Sequence, residues 1–203
     1  MTEQRATNIL WHQGEITRAD RELLKGHRGL TIWLTGLSAA GKSTLAIAVE
    51  KTLFQQGCHT YILDGDNIRH GLNKNLGFSP EERTENIRRI SEVARLFSDS
   101  GIINLTAFIS PYRQDRQAAR ELCGDSAFVE VFVDCPVEVC EQRDPKGSYQ
   151  KARQGLIKDF TGISAPYEPP EDPEIHLHTD STTVGECVEI ILDYLLEKGY
   201  IPG

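Results

Sequence analysis

Short apolar runs alternate along this chain with longer amphipathic stretches. Leu30-Thr31-Ile32-Trp33-Leu34-Thr35 is nearly continuous in apolar character and stops at Gly36, the pattern of a strand buried on both faces. From Lys42 to Gln56 the period lengthens. Leu45, Val49 and Leu53 fall on one stripe flanked by Ala46 and Ala48, which predicts a helix ended by Gly57. His59–Asp64 reads as a second strand running into a loop, Asp64-Gly65-Asp66-Asn67. Ser79-Pro80-Glu81-Glu82 predicts a helix start, with a capping serine, a proline at the first helical position and acids at the positive end of the helix dipole. Ile87, Ile90, Val93 or Ala94, and Phe97 carry that helix's stripe toward Gly101.

Further along, residues 102–110 and 128–134 read as a third and a fourth strand, and a helix from about Pro136 leads to the turn Asp144-Pro145-Lys146-Gly147. Residues 144–173 are rich in Gly, Pro and Lys and read as an excursion. A fifth strand comes next at 175–179, then a helix with Val184, Val188, Ile191 and Leu195 on one stripe. Residues 1–28 carry few periodic apolar positions and read as an N-terminal arm with a short helix around Arg18–Lys25. Residues 29–203 then form one domain. Alternation of strand and helix implies crossover connections, hence a mostly parallel α/β sheet with helices on both faces.

Composition narrows the function. The 203 residues are 39% hydrophobic and 26% charged, an ordinary globular balance. A formal net charge of −8 argues against a nucleic-acid binder, whose surface must neutralise phosphates. A local cationic pocket for a small anion is compatible with it. The five cysteines, Cys58, Cys123, Cys135, Cys140 and Cys187, are scattered and lack metal-ligand spacing, so reduced thiols in a cytoplasmic protein are expected. Met1–Leu10 has neither an apolar signal core nor an Arg-rich transit pattern, and no membrane association is expected.

One segment carries a specific chemistry. Gly36-Leu37-Ser38-Ala39-Ala40-Gly41-Lys42-Ser43, continuing to Thr44, matches G-x-x-x-x-G-K-[ST] at every fixed position, between a strand and an amphipathic helix. Such a loop turns successive N–H groups toward ATP phosphates at a helix N-terminus. Lys42 reaches the β- and γ-phosphates, and the Ser43 hydroxyl is offered to Mg²⁺. Asp64 and Asp66 come after the second strand, and ligands in open α/β sheets bind at the carboxyl ends of strands. One carboxylate there can support Mg²⁺ and the other can orient or deprotonate a hydroxyl nucleophile. Arg69, Arg83 and Asn86 add polar groups, the last two on one helix face. Phe78 is read either as a hydrophobic staple or as a base-stacking ring. Ser110, at the end of the third strand, touches a substrate or caps the next segment. Arg143 and Lys146 lie where a lid supplies positive charge, or are simply solvated cations.

Together these motifs resemble the adenylyl-sulfate kinase family over nearly the whole chain, from about Asn8 to Pro202. The blocks are LTIWLTGLSAAGKSTL at 30–45, DGDNIRHGLNKNL at 64–76, GFSPEERTENIRRI at 77–90, ISPYR at 109–113, RDPKG at 143–147 and FTGISAPYE at 160–168. The phosphate loop is generic, whereas the later blocks are specific. The resemblance implies ATP-dependent phosphorylation of the ribose 3′-hydroxyl of adenylyl sulfate, with Mg²⁺, in a homodimer. It also implies a sulfonucleotide site built from Asp66, Arg69, Phe78, Arg83, Asn86, Ile109, Ser110, Lys146 and Phe160. Phe78 and Phe160 would sandwich the adenine, and the arginines would hold the phosphosulfate. Ser110 resembles a serine sometimes assigned a phosphorylated intermediate, although direct in-line transfer needs no covalent step.

The expected fold is therefore a P-loop NTPase of the nucleoside-monophosphate-kinase type, with a five-stranded parallel sheet and a lid within about 144–170. A kinase for another small hydroxyl acceptor and a non-catalytic nucleotide-binding module are the rival readings. On the kinase reading, Lys42→Ala removes nearly all phosphoryl transfer and leaves the fold intact. Losing one preorganised charge at the transferring group costs about 2.7–4 kcal/mol, so a normally folded variant keeping more than about a tenth of wild-type turnover would contradict it.

Overall fold

The computed structural model describes residues 8–203. Five strands form one all-parallel sheet: β1 (Leu30–Thr35), β2 (Thr60–Asp64), β3 (Ile103–Ala107), β4 (Phe128–Asp134) and β5 (Ile175–His178), in the order β2-β3-β1-β4-β5. β1 is central, pairing Ile32 with Leu105 on one side and with Val129 on the other. All six of its residues are buried, as its unbroken apolar pattern requires.

Among the described residues eight α-helices connect and cover the strands: α1 (Arg18–Lys25), α2 (Lys42–Gln55), α3 (Gly65–Arg69), α4 (Pro80–Asp99), α5 (Arg113–Cys123), α6 (Val137–Arg143), α7 (Ser148–Arg153) and α8 (Val184–Glu197). α2 and α8 pack on one face, where Leu45, Val49 and Leu53 meet Val188, Ile191 and Leu195. α4 and α5 cover the other, around Trp33, Ile87, Ile90, Ala94, Phe108, Ala119 and Phe128. α1 closes the end of the sheet where β1 begins: Arg18 and Glu22 hydrogen-bond the backbone of Gly29. Residues 1–7 of the expected arm lie outside the described residues.

The chain departs from its sequence pattern at four places. Asp64–Asn67, expected as a loop, opens the short helix α3, because the Asp64 carboxylate caps it by accepting from the N–H groups of Asp66 and Asn67. β3 ends at Ala107, so residues 108–110 lie in a loop rather than strand. α5 has no apolar stripe to announce it, since its buried residues are Arg116 and Ala119. α7 interrupts the excursion after 144. Asp144 accepts hydrogen bonds from the N–H groups of Ser148, Tyr149 and Gln150, satisfying donors that the helix cannot.

Arg116 explains why so polar a helix packs. Its guanidinium donates to Glu130 on β4 (2.7 Å), to the Ser110 carbonyl (2.7 Å) and to the Glu168 carbonyl (2.7 Å). The Arg116 side chain is 3% exposed and that of Glu130 11%. Burial pushes the Glu130 carboxyl up, and the Arg116 charge opposes that shift. Arg116→Leu should therefore destabilise the fold by about 3–5 kcal/mol, because it strands a buried carboxylate. Urea denaturation measures this, and a loss under about 1 kcal/mol would mean that the ion pair is dispensable.

Candidate active site

All five strands end at the same edge of the sheet, where β2 runs straight into α3 and the others run into loops. From β1 the chain turns into the phosphate loop. Gly36 (φ 152°), Ala39 (φ 60°) and Gly41 (φ 105°) have positive φ, which bends the backbone around a central hollow. A Cβ on Gly36 would collide with the Val133 carbonyl oxygen of β4, so only glycine fits.

The loop's carbonyls are tied by Lys42 from within and by side chains of distant segments. Lys42 donates to the carbonyls of Gly36 (2.9 Å) and Leu37 (2.6 Å), the Tyr149 hydroxyl to that of Ser38 (3.0 Å), and the Thr179 hydroxyl to that of Ala40 (2.7 Å). Arg143 donates to the Thr179 carbonyl at 2.6 Å, which joins α6 to the same support. Tyr149 and Thr179 belong to no motif, and the sequence pattern does not mark them as functional. Thr179 was detectable only as the last residue of the expected fifth strand, at the ligand-bearing edge.

Lys42 is 8% exposed and holds only these two neutral carbonyls. Burial pulls its ammonium down to about 8. A buried cation paired with dipoles alone is half of an anion site.

Two clefts meet at this lysine. The first, of about 460 Å³, is lined by Ser38–Leu45, Arg143–Lys146, Thr179, Thr182, Val184 and Cys187. The second, of about 190 Å³, is lined by Asp64, Asp66, Arg69, Phe78, Arg83, Asn86, Ile109 and Ser110 among others. Ser38, Ala39, Lys42, Ser43 and Lys146 belong to both.

Asp64 and Ser43 stand where the clefts join. One Asp64 oxygen caps α3, and the other accepts the Ser43 hydroxyl at 2.6 Å, fixing the carboxylate beside the loop. Hydroxyl and carboxylate are the hard oxygen donors that Mg²⁺ prefers. Asp66 projects from the first turn of α3 and pairs with Lys146 across the cleft.

In the second cleft, the Arg69 guanidinium lies 4.2 Å from the centre of the Phe78 ring and Arg83 lies 5.8 Å from it. Burial, then the neighbouring Arg83 charge, lowers the Arg69 pKa, and burial lowers that of Arg83. Arg83 donates to the Asp159 carbonyl and to the Thr161 hydroxyl, joining α4 to the excursion. Asn86 is buried in the wall and accepts from the Asn73 amide at 3.0 Å.

Two of the expected substrate residues are placed differently. Phe160 lines neither cleft, and its ring sits edge-on to Tyr149 at 4.9 Å. Ser110 (φ 40°) turns its hydroxyl into the core, accepting from Trp33 Nε1 (3.1 Å) and bonding Thr35 Oγ1 (3.0 Å). It is 2% exposed, so its oxygen is held as a structural acceptor rather than presented as a nucleophile. The residue still forms part of the wall of the second cleft.

Known proteins resemble this chain in sequence and in fold. A family model described as adenylylsulphate kinase matches residues 28–178. The chain is 60% identical over 198 residues to the adenylyl-sulfate kinase of Saccharomyces cerevisiae, covering 97% of this chain and 98% of that protein. To the adenylyl-sulfate kinase of Staphylococcus haemolyticus it is 58% identical over 196 residues, again covering 97% and 98%. The Mycobacterium tuberculosis APS kinase CysC, solved in complex with AMPPNP and APS, aligns with a TM-score of 0.80 at 47% identity, covering 83% of this chain and 98% of that one.

The Lys42 environment generates a pH-dependent expectation. Without nucleotide the ammonium loses its proton as pH rises through about 8, whereas a bound triphosphate favours the charged form and raises its pKa. ATP binding at pH 8.5 should therefore take up protons and weaken as pH rises further. At pH 7 the lysine is charged in both states and contributes no uptake. Calorimetry in buffers of different ionisation enthalpy reads the proton count. Equal uptake by Lys42→Met would show that the protons go elsewhere.

Proposed function

The chain belongs to the adenylylsulphate kinase family, and from that premise we propose that it transfers the γ-phosphoryl group of ATP to the 3′-hydroxyl of adenylyl sulfate, giving 3′-phosphoadenylyl sulfate and ADP. One observation carries the reading: two clefts share Lys42, Ser43 and Lys146, so a phosphate held by the loop points into a second anion-binding pocket. ATP occupies the first cleft along Gly36–Thr44, with Arg143 at its border. Adenylyl sulfate occupies the second, against Arg69, Phe78, Arg83, Asn86 and Ile109.

Asp66 orients the acceptor hydroxyl and takes its proton as the oxygen bonds to the γ-phosphorus. The bond to the β–γ bridging oxygen breaks on the opposite side, and ADP leaves with that oxygen. Lys42 and Lys146 stabilise the charge spread over the transferring group. The Lys146–Asp66 pair must part for Asp66 to receive the hydroxyl, so acceptor binding displaces a lid contact. Ser43 and Asp64 fit Mg²⁺, which when bound supplies charge neutralisation to the β- and γ-phosphates. Ser110 holds the wall of the cleft through Trp33 and Thr35.

A homodimer belongs to the same proposal, with support from the exposed apolar side chains Leu10, Trp11, Leu23 and Leu24 at the N-terminal end of the chain. So does a cytoplasmic setting, with support from the free cysteines and from the described residues holding no helix long and apolar enough to cross a membrane.

The direct test is ADP release from ATP with adenylyl sulfate set against nucleoside, sugar and shikimate-type acceptors. Turnover with any of these above that with adenylyl sulfate overturns the acceptor. In the same assay series, Arg83→Ala should weaken adenylyl sulfate by about ten- to a hundred-fold and spare ATP, since each charge-assisted contact contributes roughly 1.5–3 kcal/mol. Equal weakening of both ligands in a calorimetric titration would return Arg83 to its contacts with Asp159 and Thr161 alone.

A further inference from the structure

The parallel register of β4 and β5 sets Asp134 directly beside His178 and Phe132 beside His176. Because side chains alternate along a strand, His176 and His178 project from the same side of β5, while Ile175 and Leu177 point into the core. The Asp134 carboxylate lies 2.9 Å from His176 Nε2 and 3.6 Å from His178 Nδ1. The three ligand atoms fall within 4.8 Å of one another, the one such group of histidine, cysteine and carboxylate side chains among the described residues. None of the three lines either cleft.

We propose that Asp134, His176 and His178 form a binding site for a borderline transition-metal dication, with Zn²⁺ as its representative. Two imidazoles and one carboxylate are the donors such ions take in sites that keep a position open to water, whereas Mg²⁺ and Ca²⁺ take all-oxygen sets. A tetrahedral ion with bonds of about 2.0–2.2 Å holds its ligand atoms about 3.3 Å apart. The two separations from Asp134 already bracket that value. His178 closes the remaining distance by rotation of a side chain that is 59% exposed.

The site is also oriented. The His176 ring stacks on Phe132 with centroids 4.8 Å apart, and the two histidine rings lie 4.4 Å apart. An ion here replaces the proton that now joins His176 to Asp134, and so clips the four-residue edge strand β5 to β4. The clip ends one residue before Thr179, whose hydroxyl supports the phosphate loop at Ala40.

The test uses the full chain, without a histidine tag and freed of metal by chelation. Calorimetric titration with ZnCl₂ should give one ion per chain, and ZnCl₂ should raise the thermal midpoint. The double variant His176→Ala/His178→Ala should lose both effects while keeping its circular-dichroism spectrum. His178→Gln, which changes only an exposed ring, should lose the one-to-one heat by itself. CoCl₂ gives a second readout, the intense visible absorption of a low-coordinate cobalt ion in the wild type alone. Absence of binding in the wild type overturns the proposal. Unchanged Zn²⁺ binding in the double variant does so equally, since it assigns the ion to the thiols or to other groups.

Discussion

A buried ammonium with no carboxylate partner organises this molecule. Lys42 is held by two backbone carbonyls inside the loop it belongs to, and that arrangement is stable only if every surrounding dipole is fixed. The fixing groups come from distant parts of the chain. Tyr149 reaches in from α7 and Thr179 from the end of β5, while the Val133 carbonyl of β4 admits nothing larger than Gly36. Parallel pairing makes this possible, because it brings the carboxyl ends of all five strands to one edge. The phosphate loop is thus a product of the whole sheet, although its sequence signature is eight residues long.

The second cleft extends the same logic to its arginines. Its two arginines, Arg69 and Arg83, lie against the Phe78 ring and are tied to backbone carbonyls, while the cleft's ion pair is the Lys146–Asp66 contact across its mouth. Arg116, by contrast, is fully engaged with Glu130 and two carbonyls, and serves to hold the loop after β3 against the segment ending at Glu168. These arginines therefore divide into two that hold neutral partners, Arg69 and Arg83, and one that is neutralised by a buried carboxylate, Arg116. Charge alone does not separate them; the partner does.

Much of this was legible in the residues. The unbroken run at Leu30–Thr35 and the stripes of α2, α4 and α8 come directly from apolar spacing, and the parallel sheet comes from their alternation. The features that escaped are held by polar side chains. α5 presents Arg116 rather than an apolar stripe to the core, and α7 is capped by Asp144 from four residues upstream. The Asp64 carboxylate caps α3, turning a sequence that favours turns into a helix. At the site, the motif blocks cover most of the lining of the second cleft, whereas Thr179, Thr182, Val184 and Cys187 of the first lie outside them. The blocks did not reveal that Ser110 faces inward or that Phe160 packs on Tyr149, because a motif specifies position along the chain and not the direction of a side chain.

The inward turn of Ser110 has an optical consequence. The chain has two tryptophans, and they occupy opposite environments: Trp33 is wholly buried and Trp11 is 84% exposed. Trp33 donates its indole N–H to the serine that backs the second cleft, and its ring stacks between Phe108 and Phe128. Its emission is therefore that of an indole shielded from water and from soluble quenchers, whereas that of Trp11 is fully hydrated. The molecule thus carries one fluorophore that reports on the cleft wall from behind and another that stands apart from it, and collisional quenching tells them apart.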